Sequence, residues 1–167
     1  MKIIYFLSFI AISLFATAQK DYVVTLKGDT VYGSATILPD RLYDKVSLKG
    51  EGGKQEFKSI HISTVNIEGK FYDPINYNNK RIFGQRAVKG PLSLYKLRPE
   101  KEFEFYVEIL IDQKQETSQV PNIGFKKIMS RFFSDCPELA QKIESKELVK
   151  NDMEEIISTY NSTCAGD

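Results

Sequence analysis

Residues 102–112 read Glu-Phe-Glu-Phe-Tyr-Val-Glu-Ile-Leu-Ile-Asp, and this stretch decides the fold class. Successive side chains of a strand point to opposite faces, so every second residue shares a face. The first face carries Phe103, Phe105, Val107, Ile109 and Ile111, and the second carries Glu102, Glu104, Tyr106, Glu108 and Asp112. An apolar face opposite a largely polar one predicts a strand half-buried in an antiparallel sheet.

The same alternation extends upstream to Asp21. Tyr22, Val24 and Leu26 alternate with polar neighbours, and Gly28-Asp29 predicts a turn before a return strand at residues 31–38. Further strands are predicted at residues 45–49, 55–58, 60–67, 81–88 and 92–97. Residues 72–74 and 76–79 favour an irregular loop, because proline lacks a backbone donor and asparagine prefers turns.

Downstream of Pro121 the apolar period changes from two to that of a helix. Phe125, Ile128, Met129, Phe132 and Phe133 form one stripe of an amphipathic helix. A second helix is expected to be capped by Ser134 or Asp135, with Pro137 in its first turn and Leu139 and Ile143 inward. A third opens at Asn151 or Asp152, and its inward residues are Met153, Ile156, Ile157 and Tyr160.

Strands followed by helices predict an α+β fold. We expect an antiparallel β-rich body over residues 19–120, either a barrel or a sandwich. Three short helices then occupy residues 121–167, and the whole forms one compact unit.

The first eighteen residues have the layout of a secretory signal peptide. Lys2 precedes an apolar run over residues 3–15, and Ala16-Thr17-Ala18 offers small residues for cleavage before Gln19. The run covers roughly 20 Å as a helix, short of the ~30 Å hydrocarbon core of a bilayer. No later stretch is apolar enough to span a membrane. We therefore expect cleavage after residue 18 and a soluble protein in the periplasm or outside the cell.

Loss of residues 1–18 removes Lys2 and leaves 22 basic and 22 acidic residues. A net charge of zero provides no long-range field, so a nucleic-acid partner is not expected. Only Cys136 and Cys164 are present, and an even number of cysteines in an oxidising compartment usually forms disulfides. The alternative is a reactive thiol at Cys136, which lies at a predicted helix N-terminus.

Motifs for catalysis, metals or cofactors are missing from the sequence, and we expect no metal and no cofactor. His61 is the only histidine, and it is expected on the solvent side of a strand. Glu102 and Glu104 share a strand face, so a glycosidase-like carboxylate pair is the enzymatic alternative.

Between Asp73 and Glu100 there is no acidic residue, although the segment is rich in basic and aromatic residues. On a shared face they would form a patch for an anionic glycan, a lipid headgroup or an acidic protein. Scattered over two strands, they would instead protect sheet edges from aggregation. The residues are Lys80, Arg81, Arg86, Lys89, Lys96, Arg98, Tyr77, Phe83 and Tyr95.

Four segments together resemble uncharacterised exported proteins of Bacteroidetes-type bacteria. They are residues 24–33 (Val-Thr-Leu-Lys-Gly-Asp-Thr-Val-Tyr-Gly), 90–95 (Gly-Pro-Leu-Ser-Leu-Tyr), 132–139 (Phe-Phe-Ser-Asp-Cys-Pro-Glu-Leu) and Tyr160-Asn161 ahead of Cys164. The resemblance implies a Gram-negative periplasmic or secreted setting and brings no activity or site residues. The prediction is therefore an exported, non-enzymatic binding or scaffold protein of the cell envelope; the alternative is a hydrolase of envelope glycans that uses Asp or Glu side chains.

Overall fold

The computed structural model describes residues 20–38, 43–97 and 106–165. Within these ranges eleven strands precede three helices, which confirms the α+β fold class. The strands are β1 (Tyr22–Thr25), β2 (Thr30–Tyr32), β3 (Ser34–Ile37), β4 (Lys45–Gly50), β5 (Gly53–Lys58), β6 (Ile62–Ile67), β7 (Lys70–Tyr77), β8 (Lys80–Val88), β9 (Ser93–Leu97), β10 (Val107–Ile111) and β11 (Thr117–Gln119). The helices are α1 (Phe125–Phe132), α2 (Pro137–Glu144) and α3 (Met153–Thr163).

The strands form two antiparallel sheets. The large sheet has the order β11-β10-β9-β8-β7-β6-β1-β2, and the small sheet has the order β3-β4-β5. The large sheet curls so that β11 approaches β7, and the Tyr77 hydroxyl donates a hydrogen bond to Gln119 Oε1 at 3.3 Å. The sheet order remains open at β11 and β2, so the described strands do not close a barrel.

Gly33 divides the predicted return strand at residues 31–38 between the two sheets. β2 pairs with β1 in the large sheet, whereas β3 pairs with β4 in the small one. A Cβ atom at position 33 would lie 2.6 Å from the Lys49 carbonyl oxygen, so only glycine permits this close approach. Asp21 secures the crossing, because its carboxylate accepts the backbone N–H groups of Ala35 and Glu68 at 3.0 and 2.8 Å.

The loop predicted at residues 72–74 and 76–79 was wrong, since all of these residues except Asn78 and Asn79 belong to β7. Pro74 lies opposite Phe83 of β8, whose N–H donates instead to the Tyr43 carbonyl at 2.9 Å. Pro74 is therefore in a non-hydrogen-bonded pair, where its missing donor breaks no bond to β8. Asn78 and Asn79, with φ of 48° and 59°, form the two-residue turn into β8.

Two other strand predictions were wrong in detail. Residues Ser59–His61 form one turn of 3₁₀ helix, so the strand predicted from residue 60 begins at Ile62. His61 is exposed as expected, but on this turn rather than on a strand. In β1 the fully buried residue is Val23, which packs against the small sheet. Leu26, which was predicted on the apolar face, follows the end of β1 and is exposed.

The large sheet has two faces with different coverings. On the covered face, Val23 and Phe83 pack against Ala35, Val46 and other residues of the small sheet. Further along that face, Leu94 and Leu110 pack under the three helices. On the opposite, concave face, the curl buries Ile75, Leu97, Ile109 and Ile111. Both faces of β10 are therefore buried over residues 109–111, whereas the sequence predicted one solvated face.

The helices present most of the predicted residues to the sheet, with two exceptions on α1. Met129, Phe133, Leu139, Ile143, Met153, Ile156 and Ile157 are buried, but Ile128 and Phe132 of α1 are exposed. Pro137 opens α2 as predicted, although the residue that precedes the helix is Cys136 and no side chain caps it. None of the helices in the described ranges is long and apolar enough to cross a membrane.

Cys136 and Cys164 form a disulfide, with Cα atoms 5.6 Å apart. The bond connects the start of α2 to the end of α3, and both cysteines contact the core beneath the helices. Residues 1–18, with the predicted signal peptide, lie outside the described residues, as do Arg98, Glu102, Phe103, Glu104 and Phe105.

Candidate functional site

The described residues of the basic segment are divided between the two faces of the large sheet. On the concave face, the Asp73 carboxylate lies 3.3 Å from the Arg86 guanidinium and accepts a 3.0 Å hydrogen bond from the Tyr95 hydroxyl. Thr64 donates to the other carboxylate oxygen at 2.6 Å. The Arg86 guanidinium also stacks 4.7 Å from the centre of the Phe71 ring.

The carboxylate of Asp73 compensates the positive charge of Arg86 within the protein. Burial, followed by the negative charge of Asp73, raises the pKa of Tyr95, so the phenol stays protonated and keeps donating its hydrogen bond. The side chains of Arg86 and Asp73 are only 16% and 15% exposed. Asp73, Arg86, Tyr95 and Thr64 therefore form a partly buried polar cluster that stabilises the fold.

The other members of the segment are widely separated. Lys96 lies on the covered face, where its ammonium group contacts Glu154 of α3 at 2.5 Å. Phe83 is buried against the small sheet, and Tyr77 hydrogen-bonds Gln119. Lys80 and Lys89 are exposed at the start of β8 and just after its end. Arg98 falls outside the described residues.

Arg81 is the member whose guanidinium has no ionic partner among the described residues. It lines a polar cavity of about 200 Å³ with Tyr95, Ser93 and Gln113, and its Nε is buried without a hydrogen-bond partner. A buried donor without a partner is costly, so this atom favours an acceptor that enters the cavity.

A larger cleft, here termed the intersheet cleft, opens on the covered face between the small sheet and the large one. Its volume is about 360 Å³. Three tyrosines from distant parts of the chain line it, namely Tyr43, Tyr72 and Tyr106. Ala35, Ile37 and Phe83 add apolar walls. Clefts that combine aromatic and apolar walls with a few polar groups are the usual sites for small ligands.

The polar lining of the intersheet cleft is more basic than acidic. Lys70 on β7 and Lys96 on β9 face it together with Gln85 of β8, and Glu68 is the carboxylate among its described lining residues. Gln85 and Lys96 are directly opposite each other in the sheet, so the register of β8 and β9 places both groups at the cleft. Lys70 forms no ion pair with another described residue.

The described residues do not place two carboxylates in the intersheet cleft. Glu102 and Glu104, the pair predicted as the enzymatic alternative, lie outside the described residues. Both oxygens of Asp21 accept backbone N–H groups, so this carboxylate serves the fold. In the described part of the chain no group of three or more His, Cys, Asp or Glu side chains is arranged to hold a metal ion.

The intersheet cleft could not be predicted from local sequence patterns. Tyr43 precedes β4, Tyr72 was predicted in a loop, and Tyr106 was predicted on the polar side of a strand. Only the crossing of the chain at Gly33, which places the small sheet over the large one, brings them together. Comparisons of the chain with protein-family models, curated proteins and solved structures find no match.

Proposed function

We propose that this chain is an exported binding protein of the cell envelope and that the intersheet cleft binds an acidic glycan. The observation that carries the proposal is the lining of the cleft, with three tyrosines, two lysines and one carboxylate in about 360 Å³. Aromatic rings offer flat apolar surfaces to the C–H faces of sugars, and lysine ammonium groups pair with sugar carboxylates.

Export is supported by the signal-like residues 1–18 and by the disulfide between Cys136 and Cys164. Intact mass of the protein from its native host tests this part. The expected mass corresponds to a chain that starts at Gln19, and alkylation should add two groups only after reduction. A full-length mass, or alkylation without reduction, would contradict export and the disulfide.

Binding is tested by titration calorimetry of the mature chain with alginate oligosaccharides, which carry a carboxylate on every sugar. Neutral dextran oligosaccharides of similar length serve as the uncharged comparison. Tyr106→Ala removes a ring that is 54% exposed, and Lys70→Gln removes an exposed cation. Each substitution should weaken alginate binding about tenfold, which corresponds to about 1.4 kcal/mol.

The matched controls are Tyr32→Ala and Lys80→Gln, an exposed tyrosine and an exposed lysine away from the cleft. They should bind alginate as the wild type does. Absence of saturable binding by the wild type, or equal losses in the controls, would overturn the proposal. Release of new reducing ends from alginate would favour the hydrolase alternative instead.

A further inference from the structure

A second surface, independent of the intersheet cleft, surrounds α1. Three large apolar side chains are exposed there, with Ile123 at 88%, Ile128 at 49% and Phe132 at 42% of their full exposure. Ile128 and Phe132 are four residues apart and so share a side of the helix. A Cβ at Gly124 would lie 3.5 Å from Ile128 Cδ1, so Ile128 reaches back beside the loop that carries Ile123.

The main attachment of α1 to the domain is made by other side chains. Met129 and Phe133, on the inward side, are 2% and 0% exposed and bury the helix against the core. The Phe132 ring packs edge-on against Phe133 with ring centres 4.9 Å apart, and 42% of its surface stays exposed. An amphipathic helix normally has one apolar stripe, whereas α1 carries an additional apolar edge that faces solvent.

Basic residues adjoin this apolar edge. Lys127 and Arg131, also four residues apart, lie next to Ile128 and Phe132 around the helix, and Lys126 lies toward the other side. All three are exposed and form no ion pair with another described residue. Residues 117–134 contain no Asp or Glu, although the mature chain as a whole has a net charge of zero.

We propose that this surface, formed by Ile123, Lys127, Ile128, Arg131 and Phe132 and here termed the α1 surface, docks the domain on an anionic lipid surface. Apolar side chains of an interfacial helix enter the boundary between headgroups and acyl chains. Lysine and arginine side chains extend to the lipid phosphates, where they gain attraction from the negative surface potential.

The charge pattern favours lipid over a second copy of the chain. Two α1 surfaces placed face to face would bring like charges together, which is unfavourable at short distance. An anionic lipid surface complements both the apolar edge and the basic residues. No described lining residue of the intersheet cleft belongs to residues 123–132, so docking leaves the cleft open.

The test is sedimentation of the mature chain with vesicles of phosphatidylethanolamine and phosphatidylglycerol, compared with vesicles of phosphatidylcholine alone. The wild type should bind the anionic vesicles at least tenfold more tightly, and added salt should weaken this binding. The double variant Ile128→Ser/Phe132→Ser and the double variant Lys127→Glu/Arg131→Glu should each lose tenfold or more. Lys127→Glu/Arg131→Glu should keep the unfolding midpoint of the wild type, because both side chains are exposed. Ile128→Ser/Phe132→Ser should lower the midpoint, because each of these side chains is about half-buried, but circular dichroism should show a folded chain under the conditions of the vesicle assay.

The matched control is Leu26→Ser/Lys27→Glu at the turn between β1 and β2, where Leu26 is 61% exposed and Lys27 is also exposed. This control should bind vesicles like the wild type. The chain has no tryptophan, so Phe132→Trp supplies a single reporter that keeps the surface apolar. Its emission should shift to the blue on addition of anionic vesicles.

Three outcomes would overturn the proposal. The first is no binding of the wild type to anionic vesicles, and the second is an equal loss in the Leu26→Ser/Lys27→Glu control. The third is self-association of the wild type that the α1 variants abolish without any vesicle binding, which would identify a second copy as the partner. Alginate binding by the α1 variants should be unchanged, which separates this test from that of the intersheet cleft.

Discussion

The covered face of the large sheet is closed in two different ways. At one end the small sheet lies over it, buries Val23, Val46 and Ile62, and leaves the intersheet cleft beside them. At the other end the three helices bury Leu94 and Leu110, and a disulfide joins two of those helices. β8 and β9 extend from the helical end to the end covered by the small sheet. The packing of these strands under the helices therefore helps to position the side chains of β8 and β9 that line the intersheet cleft.

Three short segments that are distant in sequence, residues 90–95, 132–139 and 160–161, meet at the helical end. The Asn161 side chain accepts the Leu92 N–H at 2.9 Å and donates to the Leu92 carbonyl at 2.8 Å. The Tyr160 hydroxyl donates to Asp135 at 2.6 Å, and the Tyr160 and Phe133 rings are 5.1 Å apart. These segments therefore hold one another together, and their chemistry is that of packing.

Truncation of Phe133 should have the largest effect on stability. Phe133 is fully buried between α1, Tyr160 and the sheet, so Phe133→Ala should cost about 3–5 kcal/mol of unfolding free energy. Phe57→Ala in the half-buried rim of the small sheet is the matched comparison, with an expected cost of about 1–1.5 kcal/mol. Urea unfolding measures both. Equal costs would mean that the two ends are packed equally well.

Removal of the disulfide should come next. The bond closes a loop of 29 residues, counting both cysteines, and the chain-entropy model assigns about 3.5 kcal/mol to such a loop. Cys136→Ala/Cys164→Ala should lower the urea midpoint, and the reduced wild type should behave similarly. The double variant should not respond to reductant. A midpoint that is unchanged by reduction would argue against a stabilising role.

Features that depend on local sequence could be predicted, whereas features that depend on the tertiary fold could not. Local periodicity predicted β10 and the buried residues of α2 and α3, because these features depend on residues close together in the sequence. The disulfide was predicted from the number of cysteines alone. The strand position of Pro74 could not be predicted, because a residue's place in the hydrogen-bond ladder depends on a partner strand that periodicity does not specify. Gly33 similarly looked like part of one strand, although its close approach to Lys49 comes from the tertiary fold.

The candidate site depended almost wholly on long-range geometry. A run of basic residues on adjacent strands predicted a single patch as one alternative. Because side chains alternate between the two faces of a sheet, Arg86 and Lys96 lie on opposite faces, and each forms an ion pair with a carboxylate. Asp73 precedes the run and Glu154 lies far beyond it, so neither partner was visible within the segment. The tyrosines of the intersheet cleft come from three segments that only the crossing between the sheets unites.

The concave face provides a third test, because its polar cluster is isolated from both ends of the covered face. Asp73→Asn keeps the shape but leaves Arg86 without its counter-charge, and should cost about 2–3 kcal/mol. Tyr95→Phe removes one hydrogen bond and should cost about 1 kcal/mol. Urea unfolding should rank the two variants in this order, and alginate binding should be retained by both. A loss of binding would mean that the cluster acts in the site.

High pH should weaken the helical end through Tyr160. Its hydrogen bond to Asp135, together with burial, raises the pKa of Tyr160 from 10.0 to about 12. The contribution is fully present below pH 10 and is lost as pH rises to about 12, because the unfolded phenol releases its proton first. Unfolding free energy should therefore fall across this range. The fall should be smaller in Tyr160→Phe, and an identical fall would show that other groups cause it.

The smallest expected change in stability lies where the two ends of the covered face meet. Lys96 lines the intersheet cleft, yet it pairs with Glu154 on α3, whose side chain is 58% exposed. Glu154→Gln should cost less than about 1 kcal/mol, since exposed ion pairs contribute little to stability. It should nevertheless strengthen alginate binding, because the ammonium group of Lys96 is then free to pair with a sugar carboxylate. Glu155→Gln, an exposed neighbour that forms no ion pair among the described residues, is the control. If Glu154→Gln leaves alginate affinity unchanged, Lys96 does not contribute to binding, and the basic character of the cleft rests on Lys70.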